Sequence, residues 1–213
     1  MSIKAIIFDY GEVLNAAIDR TATLAHRTKL GERLGLPADD VWPYLFTGEP
    51  ARLWMTGKLD WDAFWPMVLA PRGISDPQEV DDFAVEAFSV ADAQGLNPDV
   101  VALIRELQDQ YKLAVLSNAS WTEAELTERL YEELGMPTGV FDTVITSRSV
   151  GAIKPDPRIY RAALERLEVE PHEAVFTDDL SAFTEAAAEM GLHAHTFTTA
   201  ARFRAFLEEL DVL

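Results

Sequence analysis

The sequence predicts an α/β fold: a Rossmann-like parallel sheet core with helices on both faces and an inserted α-helical cap. Short apolar runs resemble strands buried on both faces, amphipathic helical segments lie between them, and one long stretch shows helical periodicity alone. The 213 residues suit one core domain with a modest insertion, since a domain holds about 150 residues. With 48% hydrophobic and 25% charged residues, the composition is that of a globular protein.

Three of the predicted strands are short apolar runs, Ile3–Phe8, Leu113–Leu116 and Ala174–Thr177, and two more candidates contain Thr and His. The first run stands near the N-terminus, but Asp9 interrupts it and no convincing cleavage site follows, so it is interpreted as a buried strand and not as a signal peptide. In chain order the predicted strands are Ile3–Phe8, Leu113–Leu116, Thr143–Thr146, Ala174–Thr177 and His193–Thr198.

Helix signals occupy the intervals between these runs. Asn97 and Asp156 each precede a proline, which is typical of an N-cap followed by the first helical residue. The segment 181–190 is rich in Ala and Glu and ends at Gly191, a residue suited to a helix C-terminus. The C-terminal segment repeats large apolar residues at helical spacing and is expected to pack on the sheet: Phe203, Phe206, Leu207 and Leu210.

The stretch between the first strand and the second differs from the rest. It contains no convincing strand, and its prolines between positions 37 and 77 are expected to divide it into short helices. The predicted boundaries place the core in residues 1–14 and 97–213 and the cap in residues 15–96. Aromatic residues at helical spacing are interpreted as packing inside this cap, with a substrate pocket as the alternative: Trp54, Trp61, Phe64 and Trp65.

Charge and composition limit the partners. Eighteen basic against 36 acidic residues give a net charge of −18, which repels nucleic acid and anionic lipid. No run approaches the roughly 18 apolar residues of a membrane span. Because the chain has no cysteine, it has neither disulfides nor thiolate chemistry. We expect a cytoplasmic protein that binds neither nucleic acid nor membrane, and nothing in the sequence indicates its oligomeric state.

Acidic residues end two of the predicted strands. Asp9 follows the first strand, while Asp178 and Asp179 follow the fourth. Ligands of parallel sheets bind beyond the carboxyl ends of the strands, so these carboxylates are expected to meet. Clustered carboxylates repel one another unless a cation joins them, and Mg²⁺ prefers such hard oxygen ligands. The sequence therefore predicts a magnesium site.

The remaining strand ends and one loop supply residues for an anion. Ser117 and Asn118 end the second strand, and Lys154 lies in the string GAIKPDPRIY before a predicted helix. Together they are predicted to hold a phosphoryl group against Asp9, and an aspartate can attack phosphorus to form an aspartyl-phosphate. Each residue alone is more often a cap, a turn or a surface residue. Their combination in this order predicts a hydrolase of phosphorylated compounds.

Four strings resemble the motifs of the haloacid dehalogenase superfamily, whose members are mostly Mg²⁺-dependent phosphatases. IIFDYGEVL is similar to the first motif, VLSNAS to the second, IKPDPRIY to the third and VFTDDL to the acidic fourth. GKLDWDAFW resembles the helical cap of the first subclass. The resemblance implies that Asp9 is the nucleophile, that Ser117 binds phosphate, and that Lys154 is the motif's lysine.

The same resemblance implies a metal site with two departures from the usual pattern. Asp9, Asp179 and the backbone carbonyl of Gly11 would bind Mg²⁺, and Asp178 would hold a metal-bound water or orient Lys154. Gly11 stands where the phosphatases carry a second aspartate that transfers protons, a loss worth about 10²- to 10⁴-fold in rate.

The neighbouring Glu12 is the alternative proton donor, although its side chain is expected to point elsewhere. Phe183 stands where an asparagine is usual, and losing that second-shell hydrogen bond weakens metal affinity by about 10- to 100-fold. We therefore expect a small phosphorylated metabolite with a good leaving group, hydrolysed at low to moderate rate.

Two other functions compete. A 2-haloacid dehalogenase would carry tyrosine two residues after the nucleophile, whereas Tyr10 follows Asp9 directly, and it would not have an acidic pair suited to Mg²⁺. A catalytically weak member that binds a metabolite or a protein would explain Gly11 and Phe183. The retained nucleophile, lysine and acidic pair favour the phosphatase.

Overall fold

The chain divides into two compact units, which are described separately. The sheet unit comprises Met1–Ala16 and Leu96–Leu213, and the helical unit comprises Ala17–Gly95. The predicted boundaries stood at 14/15 and 96/97, and the division in the structure stands at 16/17 and 95/96. The computed structural model describes residues 2–15, 20–133 and 135–213.

The sheet unit is built on five parallel strands in the order β3-β2-β1-β4-β5. The first strand along the chain therefore lies at the centre of the sheet, where both faces are covered. The predicted fold class is confirmed. The strands β1 to β5 are Ala5–Phe8, Lys112–Ser117, Thr143–Thr146, Ala174–Asp178 and His193–Thr196.

Helices make up most of the remainder, and none described is long and apolar enough to cross a bilayer. In the helical unit α1 to α5 are Arg20–Leu34, Ala38–Phe46, Gly48–Met55, Trp61–Leu69 and Pro77–Gln94. In the sheet unit α6 to α11 are Pro98–Leu107, Glu123–Glu128, Ser147–Val150, Pro157–Leu167, Ser181–Glu189 and Ala200–Glu209.

The alternation of side chains along β1 explains why its apolar run is continuous. Ile6 and Phe8 pack on one face with α6, α7 and α11. Ala5 and Ile7 pack on the other face with α9 and α10. A strand covered on both faces requires apolar side chains at every position.

The predicted helix signals operate as expected in the sheet unit. The Asn97 side chain accepts hydrogen bonds from two backbone amides of the first turn of α6. Asp156 accepts one from the amide of Arg158 at the start of α9. Helix α10 ends just before Gly191, which has a left-handed φ of 94°. These residues fix where each helix begins or ends.

The helical unit has an aromatic core of its own. Phe64 stacks on Trp54 with ring centres 4.4 Å apart, and Trp65 is 1% exposed. These three residues pack inside the unit, as interpreted from their spacing. Trp61 contacts Trp54 and Trp65 but keeps 39% of its surface exposed.

The expectation that prolines divide this unit into short helices is wrong at two positions. Pro43 lies inside α2 and Pro66 inside α4, each as the sixth residue of a nine-residue helix. Each proline removes one backbone N–H, but both helices bury apolar side chains against the unit's core. Tertiary packing overrides the local signal there. Pro77 follows the expectation, because it begins α5 after the N-cap Asp76.

Candidate active site

Asp9 lies at the carboxyl end of the central strand. Its backbone amide donates to the carbonyl of Thr177, which extends the pairing of β1 with β4 by one residue. Its side chain is almost buried, so the carboxylate has few water contacts. This is the edge where ligands of parallel sheets bind.

Lys154 is the centre of the site. Its Nζ donates to Asp9 Oδ1 at 2.7 Å, to Asp178 Oδ2 at 2.5 Å and to the carbonyl oxygen of Leu116 at 3.1 Å. An ammonium group has three donors, so all of them are used. Because Lys154 is only 2% exposed, the two aspartates supply the negative charge that its burial requires.

Asn118 bonds the backbone of Lys154. Its Oδ1 accepts from the amide of Lys154 at 2.7 Å, and its Nδ2 donates to the carbonyl of Lys154 at 3.2 Å. The side-chain amide therefore holds the lysine's backbone, and its contact with phosphate stays a prediction. Ser117, one residue earlier, is also buried at the end of β2.

Ser147 is a residue of this edge that the sequence reasoning missed. It is buried at the start of α8, and its hydroxyl both accepts from the amide of Ala119 at 3.0 Å and donates to the carbonyl of Ala119 at 3.1 Å. The end of β3 is thereby joined to the loop that follows Ser117. The signal was available, because Ser147 directly follows a predicted strand.

Three carboxylates meet beside this lysine. Asp9, Asp178 and Asp179 each offer an oxygen, and these oxygens lie within 4.8 Å of one another. Burial raises the pKa of Asp9 to about 7, with Lys154 lowering it and Asp178 raising it further. Burial also raises the pKa of Asp179 to about 6, assisted by the charges of Asp178 and Glu12.

These shifts describe a cluster with more negative charge than one lysine balances. Burial disfavours the charged form of Lys154, but the charges of Asp9 and Asp178 outweigh it and raise its pKa. A divalent cation would favour the ionised carboxylates, and the all-oxygen donor set fits Mg²⁺. Within the described part of the chain, this is the group of acidic and histidine side chains that could hold a metal ion.

Gly11 lies close to the nucleophile. A Cβ built on it would be 3.9 Å from Asp9 Oδ2, with no closer neighbour, so a larger side chain has room there. Glu12 has a left-handed φ of 55°, and its charge acts on the carboxyl of Asp179. The loop therefore brings a glycine and a glutamate to the site. Gly11 stands at the position where the phosphatases that the sequence resembles carry an aspartate.

Phe183 occupies the position where an asparagine is usual. The Nζ of Lys154 lies 5.3 Å from its ring centre and 5.6 Å from that of Phe176. A cation near an aromatic face is attracted by the ring electrons, so Phe183 offers the lysine an aromatic contact and no hydrogen bond. Asp178 forms an ion pair with Lys154, and its role in orienting that lysine or holding a metal-bound water stays a prediction.

Comparison with curated proteins gives relatives of more than one activity. The chain is 28% identical over 203 residues to Phosphatase MT3486 of Mycobacterium tuberculosis, covering 92% of this chain and 87% of that protein. It is 28% identical over 188 residues to (S)-2-haloacid dehalogenase 1 of Pseudomonas sp., covering 82% and 75%. It is 27% identical over 205 residues to Bifunctional epoxide hydrolase 2 of Rattus norvegicus, covering 90% of this chain but only 36% of that longer protein.

Solved structures share the fold. A HAD-family enzyme of Bacteroides thetaiotaomicron, crystallised with magnesium and inorganic phosphate, matches with a TM-score of 0.62 at 18% identity, covering 92% of this chain and 95% of that one. The model of the haloacid dehalogenase-like hydrolases matches residues 3–191, which include β1 to β4 and every residue of the site. The chain therefore belongs to the haloacid dehalogenase-like hydrolase family.

Proposed function

We propose that this protein is a Mg²⁺-dependent phosphatase of small phosphorylated metabolites that works through an aspartyl-phosphate on Asp9. The observation that carries the proposal is the buried lysine held between Asp9 and Asp178, inside a cluster of three carboxylates. Such a cluster is costly for stability, and its chemistry suits the transfer of a doubly charged group. We further propose that the helical unit is the cap.

The residues divide the work as follows. Asp9 attacks phosphorus and forms a carboxyl–phosphoryl bond while the bond from phosphorus to the leaving oxygen breaks; water then attacks the phosphorus and releases phosphate and Asp9. The hydroxyl of Ser117 and the ammonium of Lys154 hold phosphoryl oxygens, and Asn118 holds the backbone of Lys154. Asp9, Asp179 and the Gly11 carbonyl would bind Mg²⁺, which supplies positive charge next to the phosphoryl group.

The relatives support a hydrolase of this family, but they do not distinguish a phosphatase from a dehalogenase. One relative of nearly full coverage is named a phosphatase, and another is named a 2-haloacid dehalogenase. The site favours phosphoryl transfer, because Asp179 adds a carboxylate with a raised pKa beside the pair that Lys154 neutralises. A site that attacks carbon without a metal has no use for that extra charge.

The test is hydrolysis of p-nitrophenyl phosphate by the full chain, with Mg²⁺, with EDTA, and by Asp9→Asn with Mg²⁺. The leaving group is acidic, so the missing proton donor matters little. We expect activity that requires the metal and falls by at least about 10³-fold in Asp9→Asn, because the amide is not a nucleophile. Trapping the phosphoryl group on Asp9 by mass spectrometry would identify the intermediate.

Two results would contradict the proposal. Activity in wild-type protein no higher than in Asp9→Asn would favour a binding module, and ligand screening would follow. Release of halide from 2-chloropropionate in EDTA would favour the dehalogenase.

Gly11→Asp tests whether proton transfer limits the rate. The substitution has room beside Asp9, and a general acid contributes about 10²- to 10⁴-fold. We expect the rate on alkyl phosphates, which are poor leaving groups, to rise far more than the rate on p-nitrophenyl phosphate. Gly11→Ala is the control for the added Cβ. Equal gains on both substrates, or none on either, would show that another group already transfers the proton.

A further inference from the structure

The loop after the nucleophile, Tyr10–Asn15, closes on itself. The amide of Asn15 donates to the carbonyl of Tyr10 at 2.8 Å, and the amide of Glu12 donates to the carbonyl of Asn15 at 3.0 Å. Gly11 and Asn15 also form a bridge. These bonds shape the loop, and one further backbone bond, from the amide of Asn97 to the carbonyl of Leu14 at 2.7 Å, attaches its C-terminal end to the start of α6.

At its N-terminal end, next to the nucleophile, the loop is tied to the rest of the sheet unit by a side chain from a distant part of the chain. The Nε of Arg129 donates to the hydroxyl of Tyr10 at 3.0 Å, across 119 positions of sequence. The same hydroxyl accepts from Asn15 Nδ2 at 3.1 Å. Tyr10 is buried and both bonds are partly buried, which makes them stronger than they would be on the open surface.

Arg129 is itself held on three sides. Its guanidinium donates to Glu133 at 2.8 Å, and its Cζ lies 5.1 Å from the ring centre of Trp121. Trp121 in turn meets the ring of Tyr10 edge to face, with ring centres 5.9 Å apart. Arg129 begins a π-helical turn, Arg129–Glu133, that continues α7, and such turns occur often at functional sites.

We propose that Arg129 is a positioning residue: through the hydroxyl of Tyr10 it holds the loop Tyr10–Asn15 so that Gly11 and Glu12 stand beside Asp9 and Asp179. Tyr10 directly follows the nucleophile, so any movement of its ring moves the backbone on which Asp9 and Gly11 lie. A rigid guanidinium braced by Glu133 and Trp121 suits this task better than a flexible lysine. The consequence for Mg²⁺ rests on the proposed function; the consequence for the loop does not.

The test compares Arg129→Ala, Tyr10→Phe and the double variant with Arg204→Ala in the full chain. Arg204 makes a surface ion pair with Glu106, far along the chain from the loop, and is the matched control. Hydrogen exchange by mass spectrometry, in EDTA, reports the loop amides of Glu12 and Asn15. We expect both single variants to exchange at least about tenfold faster there, because the hydrogen bond to the Tyr10 hydroxyl is lost.

The double variant shows whether the two side chains act together. Arg129→Ala should add nothing in the Tyr10→Phe background, because its partner atom is already gone. Arg129→Lys, which keeps a donor, should recover part of the protection and also serves if Arg129→Ala fails to fold. Loop exchange within about twofold of wild type in folded Arg129→Ala, or effects that multiply in the double variant, would overturn the inference.

Mg²⁺ affinity by calorimetry is the second readout. We expect Arg129→Ala to bind Mg²⁺ about 10- to 100-fold more weakly than wild type, while Arg204→Ala binds normally. If Mg²⁺ affinity is unchanged although the loop exchanges faster, the positioning role is overturned. If wild type binds no Mg²⁺ and hydrolyses no phosphate, the proposed function fails, and the exchange rates still decide the role of Arg129.

Discussion

The carboxyl end of the sheet and the aromatic core of the helical unit both contain fully buried side chains. Those at the sheet are charged, and those in the helical unit are aromatic. At the sheet, Lys154 and Asp178 are 2% and 0% exposed and are held by ion pairs. In the helical unit, Phe64 and Trp65 are 0% and 1% exposed and are held by ring contacts. One region buries charge, and the other buries apolar area.

Burial therefore has opposite effects on the free energy of folding in the two regions. Apolar burial lowers the free energy of the folded state roughly in proportion to area. Charge burial raises that free energy unless every charge finds a partner, and the raised pKa of Asp9 shows that the partners supplied by the chain are insufficient. The site therefore gives up stability for chemistry, as functional sites often do.

Replacing Lys154, the cation at the sheet edge, is expected to change the free energy of unfolding the most. Lys154→Met should lower the free energy of unfolding by about 3–5 kcal/mol at pH 8, because Asp9 and Asp178 would stay buried without their partner. Carboxyls with a raised pKa stabilise the fold when protonated and lose that contribution as pH rises, so the loss should shrink at pH 5. Urea unfolding at both pH values measures it.

Lys58→Met, an exposed lysine of the helical unit, should change the free energy by less than about 0.5 kcal/mol. A Lys154→Met loss that is the same at both pH values would show that packing, and not charge, is what this lysine supplies.

Truncating an aromatic side chain in the helical unit tests whether apolar burial contributes a stability that does not depend on pH. Phe64→Ala should cost about 3–5 kcal/mol of unfolding free energy, because it removes a fully buried ring and leaves a cavity. No titratable group is removed, so the loss should be equal at pH 5 and pH 8. Trp61→Ala, at a partly exposed ring of the same core, should cost less. If the stability loss in Phe64→Ala depended strongly on pH, pH dependence would not distinguish charge burial from apolar burial.

The smallest expected effect is the change with pH in the stabilisation that Mg²⁺ gives the protein. The pKa values of about 7 for Asp9 and about 6 for Asp179 apply to the protein without metal, so Mg²⁺ must displace protons from them at low pH. The increase in Tm caused by Mg²⁺ should grow from pH 5.5 to pH 8, and calorimetry in two buffers should detect proton release near pH 6. Phe64→Ala should leave this profile unchanged. A Tm increase that does not depend on pH would place the metal elsewhere.

Much of the sheet unit could be predicted from the sequence, because its signals are local. Continuous apolar runs indicated β1, β2 and β4, and β3 and β5 were predicted as further candidates. Asn97 and Asp156 cap helices as their positions before proline suggested. In the helical unit the local signal was weaker. Pro43 and Pro66 were expected to break helices that tertiary packing maintains.

Single side chains at the site were harder to assign. Asn118 was predicted as a phosphate contact, but the sequence did not indicate that both of its amide atoms bond the backbone of Lys154. Arg129 gave no signal at all, because its partner Tyr10 lies 119 positions away. Spacing along a strand or helix predicts which face a residue occupies, but it does not predict which distant atom a donor reaches.

The sequence by itself determined the order of strands and helices, the residue types at each strand end, and the family to which they point. Those features follow from hydrophobic periodicity and from the rule that parallel strands present their carboxyl ends at one edge. Only the tertiary structure decided that Lys154 joins Asp9 to Asp178 and that Arg129 holds the loop of Gly11. The reason is physical: those contacts depend on the three-dimensional closure of segments far apart in the chain, where geometry and burial select the partner.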